Sequence, residues 1–565
     1  MRQEFRLLSA VVLSTAVFVG YQMFFAPKPP QQPTQTTQQT AVPVEPAQII
    51  QSQQPQSLEI PQGESPSTGE IQAEEKTISV ETPLAHITLS TRGAVITDYQ
   101  LKKFKLKAKK DSPPKNLLPE EGTSSALFLG FKGYSPLTAG KVYRVVSDQE
   151  LPAGVRTIVL EWQNDSVRIQ KTFVFDGTQN NYTVTVAYEV ANLSQSDLVL
   201  TPYLQNSITQ KPIPKKTGGL LSFLKFDRPD LYGLYHLADK TLTEDQNWQK
   251  FAGTREVAGN IYWSGIADRY FLFALLPQDV QGPVKAQFGR EKDNIVNQLY
   301  ANELIVAPQQ KKGGHFLAYV GPKQLSYLER VSSELKRAVD YGWFSIIAVL
   351  ILKLMSFLHR FIPSWGLTII TLTFIVKMLL HPFNKKSMQS MKAMQNLQPK
   401  LNEIKKKYGD DKQKQNEETM QLFRTHKVNP MGGCLPMLLQ FPVYIALYKV
   451  LWNAIELYHA PFLGIYADLS APDPYFVSPI LLGVFMFLQQ KLTPTASVDP
   501  AQQKMMMFMP VMFTVMMLFL PVGLVVYIFV NTAMSVVQQY MMKHDLSFRD
   551  VLRGRFKPQT AQNSQ

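Results

Sequence analysis

Residues 364–383 read SWGLTIITLTFIVKMLLHPF, and the stretch that follows, 384–429, carries eleven Lys or Arg against five Asp or Glu, a net +6. At about 1.5 Å per helical residue, twenty apolar residues span a hydrocarbon core of about 30 Å. The one charge in the first stretch is Lys377. Cytoplasmic loops collect Lys and Arg, so the basic stretch is placed inside. The stretch from Tyr458 to Pro474 has no Lys or Arg and is placed outside. The pair predicts a polytopic helical membrane bundle.

Further apolar runs lie at 7–25, 342–358, 431–457, 475–490, 506–520 and 522–541. If 342–358 and 364–383 both crossed, the basic stretch would fall outside. Lys353 also interrupts the earlier run and Arg360 closes it. Residues 341–361 are therefore expected as an amphipathic helix lying in the outer interface. Six spans remain, with both termini cytoplasmic. The tail 542–565 agrees, since Lys543, Arg549, Arg553, Arg555 and Lys557 oppose only Asp545 and Asp550. Residues 1–26 read as an uncleaved anchor, because the run is longer than a signal core and no small-residue cleavage pattern follows.

Residues 27–80 are rich in Pro, Gln, Thr and Ser and are expected as a disordered linker outside the cytoplasm. Residues 81–330 read as a large all-β sandwich. Alternation is plain in His86-Ile87-Thr88-Leu89-Ser90, in Val167-Arg168-Ile169-Gln170 and in Tyr182-Thr183-Val184-Thr185-Val186, and Asp176-Gly177 marks a turn. The single cysteine, Cys434, excludes an internal disulfide framework and a cysteine-built zinc site. There is no HExxH, no GxxxxGK[ST] and no GxGxxG after a strand. No metal, cofactor or catalytic activity is expected. The net charge of +14 is accounted for by the inner surface, so no sequence-specific nucleic-acid partner is required; ribosomal RNA or anionic lipid could meet that surface.

Three spans carry polar residues at a spacing of four, which shares one helix face. They are Thr373 and Lys377; Gln440, Tyr444 and Tyr448; and Tyr527, Asn531 and Ser535. A lysine about 9 Å inside a span is costly. It can snorkel, and polar stripes can serve as interhelical hydrogen-bond glue. The last five spans hold one carboxylate, Glu456, near the opposite end of its helix, with Lys449 on the same helix the nearer partner. That leaves Lys377 without an ion pair and argues for water around it, hence a hydrated groove open to the cytoplasm and lipid. Met505, Met506, Met507, Met509, Met512, Met516 and Met517 crowd the fifth span, a composition suited to varied apolar partners or to plain lipid contact. Residues 384–429 read as a helical hairpin, with Met391, Met394, Leu397, Leu401 and Ile404 on one face and the turn at Gly409, Asp410 and Asp411.

TLTFIVKMLLHPFNKKSMQSMKAMQNLQPKL (371–401), GDDKQK (409–414), KVNPMGGCLPMLLQFPVYIALY (427–448) and DPAQQKMMMFMPVMF (499–513) resemble the YidC/Oxa/Alb membrane protein insertases. The match covers Trp365 to Gln539, and the preceding arrangement looks like the Gram-negative form of YidC. The resemblance implies a five-helix insertase core around a hydrophilic groove in a bacterial inner membrane. It implies insertion and folding of newly made membrane proteins, alone or with the Sec translocon and its accessory subunits, without nucleotide hydrolysis by the protein. The basic groove position falls on Lys377, where bacterial members usually have Arg, so charge is kept and the planar two-point donor is lost. Tyr444 and Tyr527 match client-contact positions, and Ile528 stands where a second aromatic is common. The groove set is then Lys377, Thr373, Gln440, Tyr444, Tyr527 and Asn531. The hairpin is implied to receive clients and ribosomes, and the β region to be a supersandwich related to carbohydrate-binding folds. A transporter would need an internal repeat and a second intramembrane charge; neither is visible. A sugar-binding protein would leave the polar stripes without a role.

Overall fold

A computed structural model describes residues 73–118, 124–134, 140–152, 154–209, 232–245, 253–278, 282–291, 293–409, 411–426, 428, 435–492 and 500–543. The expected anchor, the linker up to residue 72, Asp410, Cys434 and the basic tail beyond Lys543 lie outside them.

The β region runs from Thr77 to Pro322. Its strands are β1 (Thr77–Glu81), β2 (Ala85–Ser90), β3 (Val95–Lys105), β4 (Pro114–Asn116), β5 (Ser125–Lys132), β6 (Arg144–Glu150), β7 (Val155–Gln163), β8 (Val167–Asp176), β9 (Thr183–Asn192) and β10 (Leu198–Thr209). After these come β11 (Gly233–Ala238), β12 (Thr241–Asp245), β13 (Thr254–Gly259), β14 (Ile261–Ala267), β15 (Phe271–Pro277), β16 (Val284–Glu291), β17 (Asn294–Tyr300), β18 (Leu304–Val306) and β19 (Lys311–Pro322). They form two antiparallel sheets. One has the order β1-β2-β3-β5-β10-β17-β16-β13, with β4 beside β3 and β18 beside β10; the other has the order β12-β11-β14-β15-β19-β9-β8-β7-β6. The alternation in the sequence is the alternation of the faces. In β8, Val167, Ile169, Phe173 and Phe175 point inward, and in β9 so do Val184, Val186, Tyr188 and Val190. Phe271, Phe273, Phe288 and Phe316 belong to the buried hydrophobic cluster, as does Trp263, whose Nε1 donates to Glu334 O at 3.2 Å on the opposite face of the sheet from Phe273.

Lys171 occupies an inward position of β8 and is wholly buried. Its Nζ donates to Ala94 O at 2.7 Å and to Leu127 O, and lies 4.7 Å from the Phe173 ring centroid. Ala94 (φ 48°) and Leu127 (φ 63°) are both in the left-handed region, so their carbonyls point where no ladder bond reaches them. Burial pushes the ammonium well below its ordinary pKa.

On the rim, Arg156 grips Asp148 through two bonds of 2.9 and 2.8 Å. That guanidinium holds the Asp148 carboxyl below the usual carboxylate range. A carboxylate depressed in the folded state contributes stability above its unfolded pKa, about 3.9, and loses it as pH falls through the folded value. The thermal midpoint of the β region is expected to drop as the medium is taken below about pH 4, and Asp148→Asn should make that drop shallower. A melting series from pH 7 to pH 2.5 checks this; identical slopes for both chains would contradict it.

The helices follow: α1 (Leu325–Val331), α2 (Ser345–His359), α3 (Trp365–Asn396), α4 (Gln398–Lys407), α5 (Lys412–Thr425), α6 (Leu435–Asn453), α7 (Val477–Leu492), α8 (Pro500–Met517) and α9 (Val522–Lys543). Among the described residues two stretches are long and apolar enough to cross a membrane, Trp365–Met394 of α3 and Val522–Met541 of α9; Ser345–His359, Val477–Leu492 and Met507–Met517 are apolar but shorter. In α2 the buried face is Ala348, Ile351, Leu352 and Met355, while Ile346, Leu350 and Phe357 lie exposed on other sides. The helix is thus apolar on more than its packed stripe.

The basic hairpin starts differently from the expectation. The span and the first basic turns are one 32-residue helix, α3, with Pro382 inside it. The break comes at Leu397, where Pro399 opens the next helix in its first turn. Asp411 caps α5, accepting from Lys414 N at 3.0 Å. Leu397, Leu401 and Phe423 make a small core of their own, with Met394, Leu422 and Val428 against it.

The β region docks on the helices at the C-terminal end of α6. Arg269 Nε donates to Trp452 O at 2.6 Å, and its guanidinium lies 4.2 Å from the Trp452 ring. Tyr458 donates to Lys105 O at 3.2 Å and its ring meets Tyr270 and Phe271. The loop after α6 folds back over the bundle: Val522 N bonds Ala471 O at 2.8 Å, and Gly523 N bonds Leu469 O at 2.9 Å. Asp473 Oδ2 accepts from Ser478 N at 2.7 Å and Ser478 Oγ at 2.8 Å, tying this loop to α7.

Candidate functional site

The three polar stripes converge. Lys377 on α3 donates through Nζ to Asn531 Oδ1 at 3.1 Å, Ser535 Oγ at 2.6 Å and, more weakly, Asn531 O at 3.4 Å. Asn531 in turn donates from Nδ2 to Tyr444 OH. Gln440 Nε2 donates to Tyr527 OH at 3.1 Å, and the Tyr444 and Tyr527 rings meet edge to face at 5.9 Å. One cluster therefore joins α3, α6 and α9, with Asn531 as its hub. The spacing of four on each helix is what aims these side chains at a common axis.

Around Lys377 the protein itself supplies the polar contacts. Lys377 is 6% exposed, and Asn531 and Gln440 are also buried. Three protein oxygens solvate the ammonium, all from neutral groups. The amide and hydroxyl of α9 can turn toward Lys377 because Asn531 and Ser535 stand one turn apart, and Ser535 Oγ also donates to Asn531 O at 2.9 Å. Nothing in a single helix announces that pairing; it appears only when α3 and α9 are side by side. Ser535 is the member that the groove set lacked, although it completes the same stripe.

Two other members sit differently from their expected places. Thr373 is buried, but its hydroxyl donates to Ile369 O of its own helix at 2.7 Å. This back-bond satisfies the hydroxyl inside α3 and keeps it out of the Lys377 network. Tyr527 is expected on a surface that clients touch; its side chain is 0% exposed, enclosed with Tyr444 and Gln440. Tyr444 is the half-exposed partner of the two. Tyr448 stands one turn further out, its ring stacked on Trp452. Gly409 and Asp411 form the hairpin turn, remote in sequence from the cluster.

On other sides of the same helix, α3 presents Phe374, Ile375, Met378 and Leu379 to the exterior; Met378, next to Lys377, is 72% exposed. Met507, Met509, Met512 and Met516 of α8 are exposed as well. A buried polar centre thus lies within a turn of an apolar exterior.

Residues 77–354 match the family model described as YidC periplasmic domain, and residues 357–549 match 60Kd inner membrane protein. The membrane protein insertase YidC of Geobacter sulfurreducens is 36% identical over 550 residues, covering 96% of this chain and 99% of that protein. That of Geobacter metallireducens is 34% identical over 552 residues, covering 95% and 97%. That of Magnetococcus marinus is 40% identical over 407 residues, covering 70% of each. Among solved structures, an active YidC insertase with its first transmembrane domain resolved aligns over 84% of this chain and 94% of that one, with a TM-score of 0.35 and 18% identity. Full-length relatives above 30% identity and two adjoining family models agree, and the chain belongs to the YidC family of membrane protein insertases.

Proposed function

We propose that the chain inserts newly made membrane proteins into the bacterial inner membrane through the Lys377 cluster. The observation that carries this reading is that, among the described residues, the buried ammonium is held by neutral oxygens alone. A carboxylate is a stronger partner for it than an amide or hydroxyl. An acidic client tail arriving from the cytoplasm exchanges with Asn531 and Ser535 on Lys377, and its polar backbone finds Gln440 and Tyr444 instead of hydrocarbon. The desolvation cost of carrying polar groups across lipid falls accordingly. The client's apolar helix leaves past Tyr444 toward the exposed apolar surfaces of α3 and α8. In this reading Tyr527 backs Tyr444, and Thr373 shapes α3.

Six spans, with both termini cytoplasmic, fit the charge distribution, and α2 lies in the outer interface with its second apolar side toward lipid. A 16-residue helix such as α7 reaches about 24 Å, short of an average core of about 30 Å, so the bilayer thins beside it. The basic hairpin of α4 and α5 faces the cytoplasm, where it receives clients and the ribosome. The Sec translocon and its accessory subunits are partners for a share of clients.

Photo-crosslinking tests the path. A photoreactive residue at Tyr444 is expected to capture a ribosome-stalled single-span client as its span emerges, and to lose it after release. The same residue at Leu350, on the exposed apolar side of α2 and off that path, should capture lipid throughout. A client captured equally from both positions, or from neither, would take the path away from the cluster.

A further inference from the structure

The β region carries a basic hairpin beside the membrane-facing end of the fold. Residues 102–110 read KKFKLKAKK, six lysines in nine residues. They form the end of β3 and the turn to β4, closed by Leu106 N to Pro113 O at 2.9 Å and by Lys107 N to Ser112 Oγ at 2.8 Å. The base of this hairpin is fixed. Phe104 packs on Phe271 and Tyr458, Tyr458 OH bonds Lys105 O at 3.2 Å, and Lys103 Nζ bonds Tyr327 OH at 3.1 Å. Tyr458 lies five residues past the end of α6; its ring meets Tyr270, and Arg269 lies over both Tyr270 and Trp452. Tyr and Trp gather at the headgroup level of membrane proteins, so this ring of aromatics marks that level.

From Lys105 to the tip at Lys109 is four residues, a reach of at most roughly 14 Å. Headgroups extend about 5–7 Å beyond the hydrocarbon on each side. The tip can therefore lie among them. Lys102 is paired with Glu81. The ammonium groups of Lys107, Lys109 and Lys110 meet no acidic partner among the described residues. Leu106 stands between Lys105 and Lys107 and is 46% exposed. Cations flanking an exposed aliphatic side chain suit an interface with phosphate above and acyl chain below.

We propose that the hairpin tip, Leu106 to Lys110, docks on anionic phospholipid headgroups of the outer leaflet and steadies the β region against the membrane beside the insertase core. This rests on the reading that Tyr458 to Pro474 lies outside. Each lysine near an anionic surface strengthens binding by roughly five-fold, so neutralising three is expected to weaken it by at least ten-fold.

The test uses the full chain in nanodiscs with a trace of headgroup spin-labelled lipid. A fluorophore is placed at Ala108→Cys, or at Ser196→Cys, in a Cys434→Ser background. Strand register puts the two at opposite ends, because Thr183 of β9 pairs with Tyr319 near the helices and Ala191 pairs with Lys311 far from them. At 108, quenching is expected to be strong in discs with a third phosphatidylglycerol, several-fold weaker in pure phosphatidylcholine, and reduced by 0.5 M salt. It should also fall on changing Lys107, Lys109 and Lys110 to Gln. Equal, salt-insensitive quenching in both lipids would overturn the docking by charge. Quenching at neither site would leave the lysines to a soluble acidic partner and likewise overturn it. Quenching at 196 in place of 108 would instead overturn the placement of the β region on which the proposal rests.

Discussion

Lys377→Leu is expected to slow insertion of a client with an acidic translocated tail by at least about ten-fold, and of a neutral-tailed client by less than about three-fold, since a hydrogen bond to a charged group is worth about 1.5–3 kcal/mol and each 1.4 kcal/mol is a factor of ten. The reading is a ratio between clients, so a general loss of folded protein does not mimic it. Such a loss is expected in part, because Leu leaves Asn531 Oδ1 without the donor it has now. Lys377→Gln separates the two effects: it can restore a donor to Asn531 but not the charge. Its stability should recover while its preference for acidic tails stays lost. Lys377→Arg should keep the preference. Asn531→Leu removes an acceptor of Lys377 and the donor to Tyr444 together. Combined with Lys377→Leu it should cost much less than the two changes summed, as residues in one network couple. Proteoliposome insertion assays with tail variants of one client measure all of these. Equal slowing of acidic and neutral tails by Lys377→Leu would remove the charge-exchange step from the mechanism.

The second large effect is expected at Gly366. A Cβ on this residue would run into the Phe462 ring at Cδ2, Cε2 and Cγ. Phe462 is buried and locked by paired backbone bonds with Tyr466, at 2.8 and 3.0 Å. It cannot simply swing aside, so the loop after α6 must lift from α3. Overpacking of this kind costs about 1–3 kcal/mol. Helix propensity alone has the opposite sign, because Ala is favoured over Gly in a helix by up to about 1 kcal/mol. Gly366→Ala therefore decides between them: a lower thermal midpoint supports the close contact, and a higher one contradicts it. Gly366→Leu should lower it further. The same lifting should expose Leu469, now buried against Gly523 at the start of α9. A cysteine at 469 should become reactive to an impermeant thiol reagent in Gly366→Leu and remain protected in the parent chain.

Physical pattern explains what could be read early. A two-residue period separates the inward Val184 and Val186 from the outward Thr183 and Thr185, and that period depends only on local backbone geometry. A four-residue period set Lys377, Tyr444 and Asn531 each on a single helix face for the same reason. The sorting of charge along the chain follows from the cost of taking Lys and Arg through lipid, so the basic stretch 384–429 and the stretch 458–474, which has no Lys or Arg, stand apart in the sequence itself.

Pairings between distant segments have no such local signature. Lys171 looks like an outlier in an apolar stripe until the carbonyls of Ala94 and Leu127, more than forty residues away, are seen to face it. Tyr527 and Tyr444 are alike in sequence, and only the packing of α6 on α9 buries the first and leaves the second half-exposed. Lys377 has no carboxylate within reach of any sequence rule, and Asn531 and Ser535 solvate it only because α9 lies beside α3. What the chain's own order of residues carried was which residues share a face of each strand and helix, since that depends on local period alone. Tertiary structure alone decided which polar groups satisfy one another, because a buried hydrogen bond is set by where two separate elements come to rest.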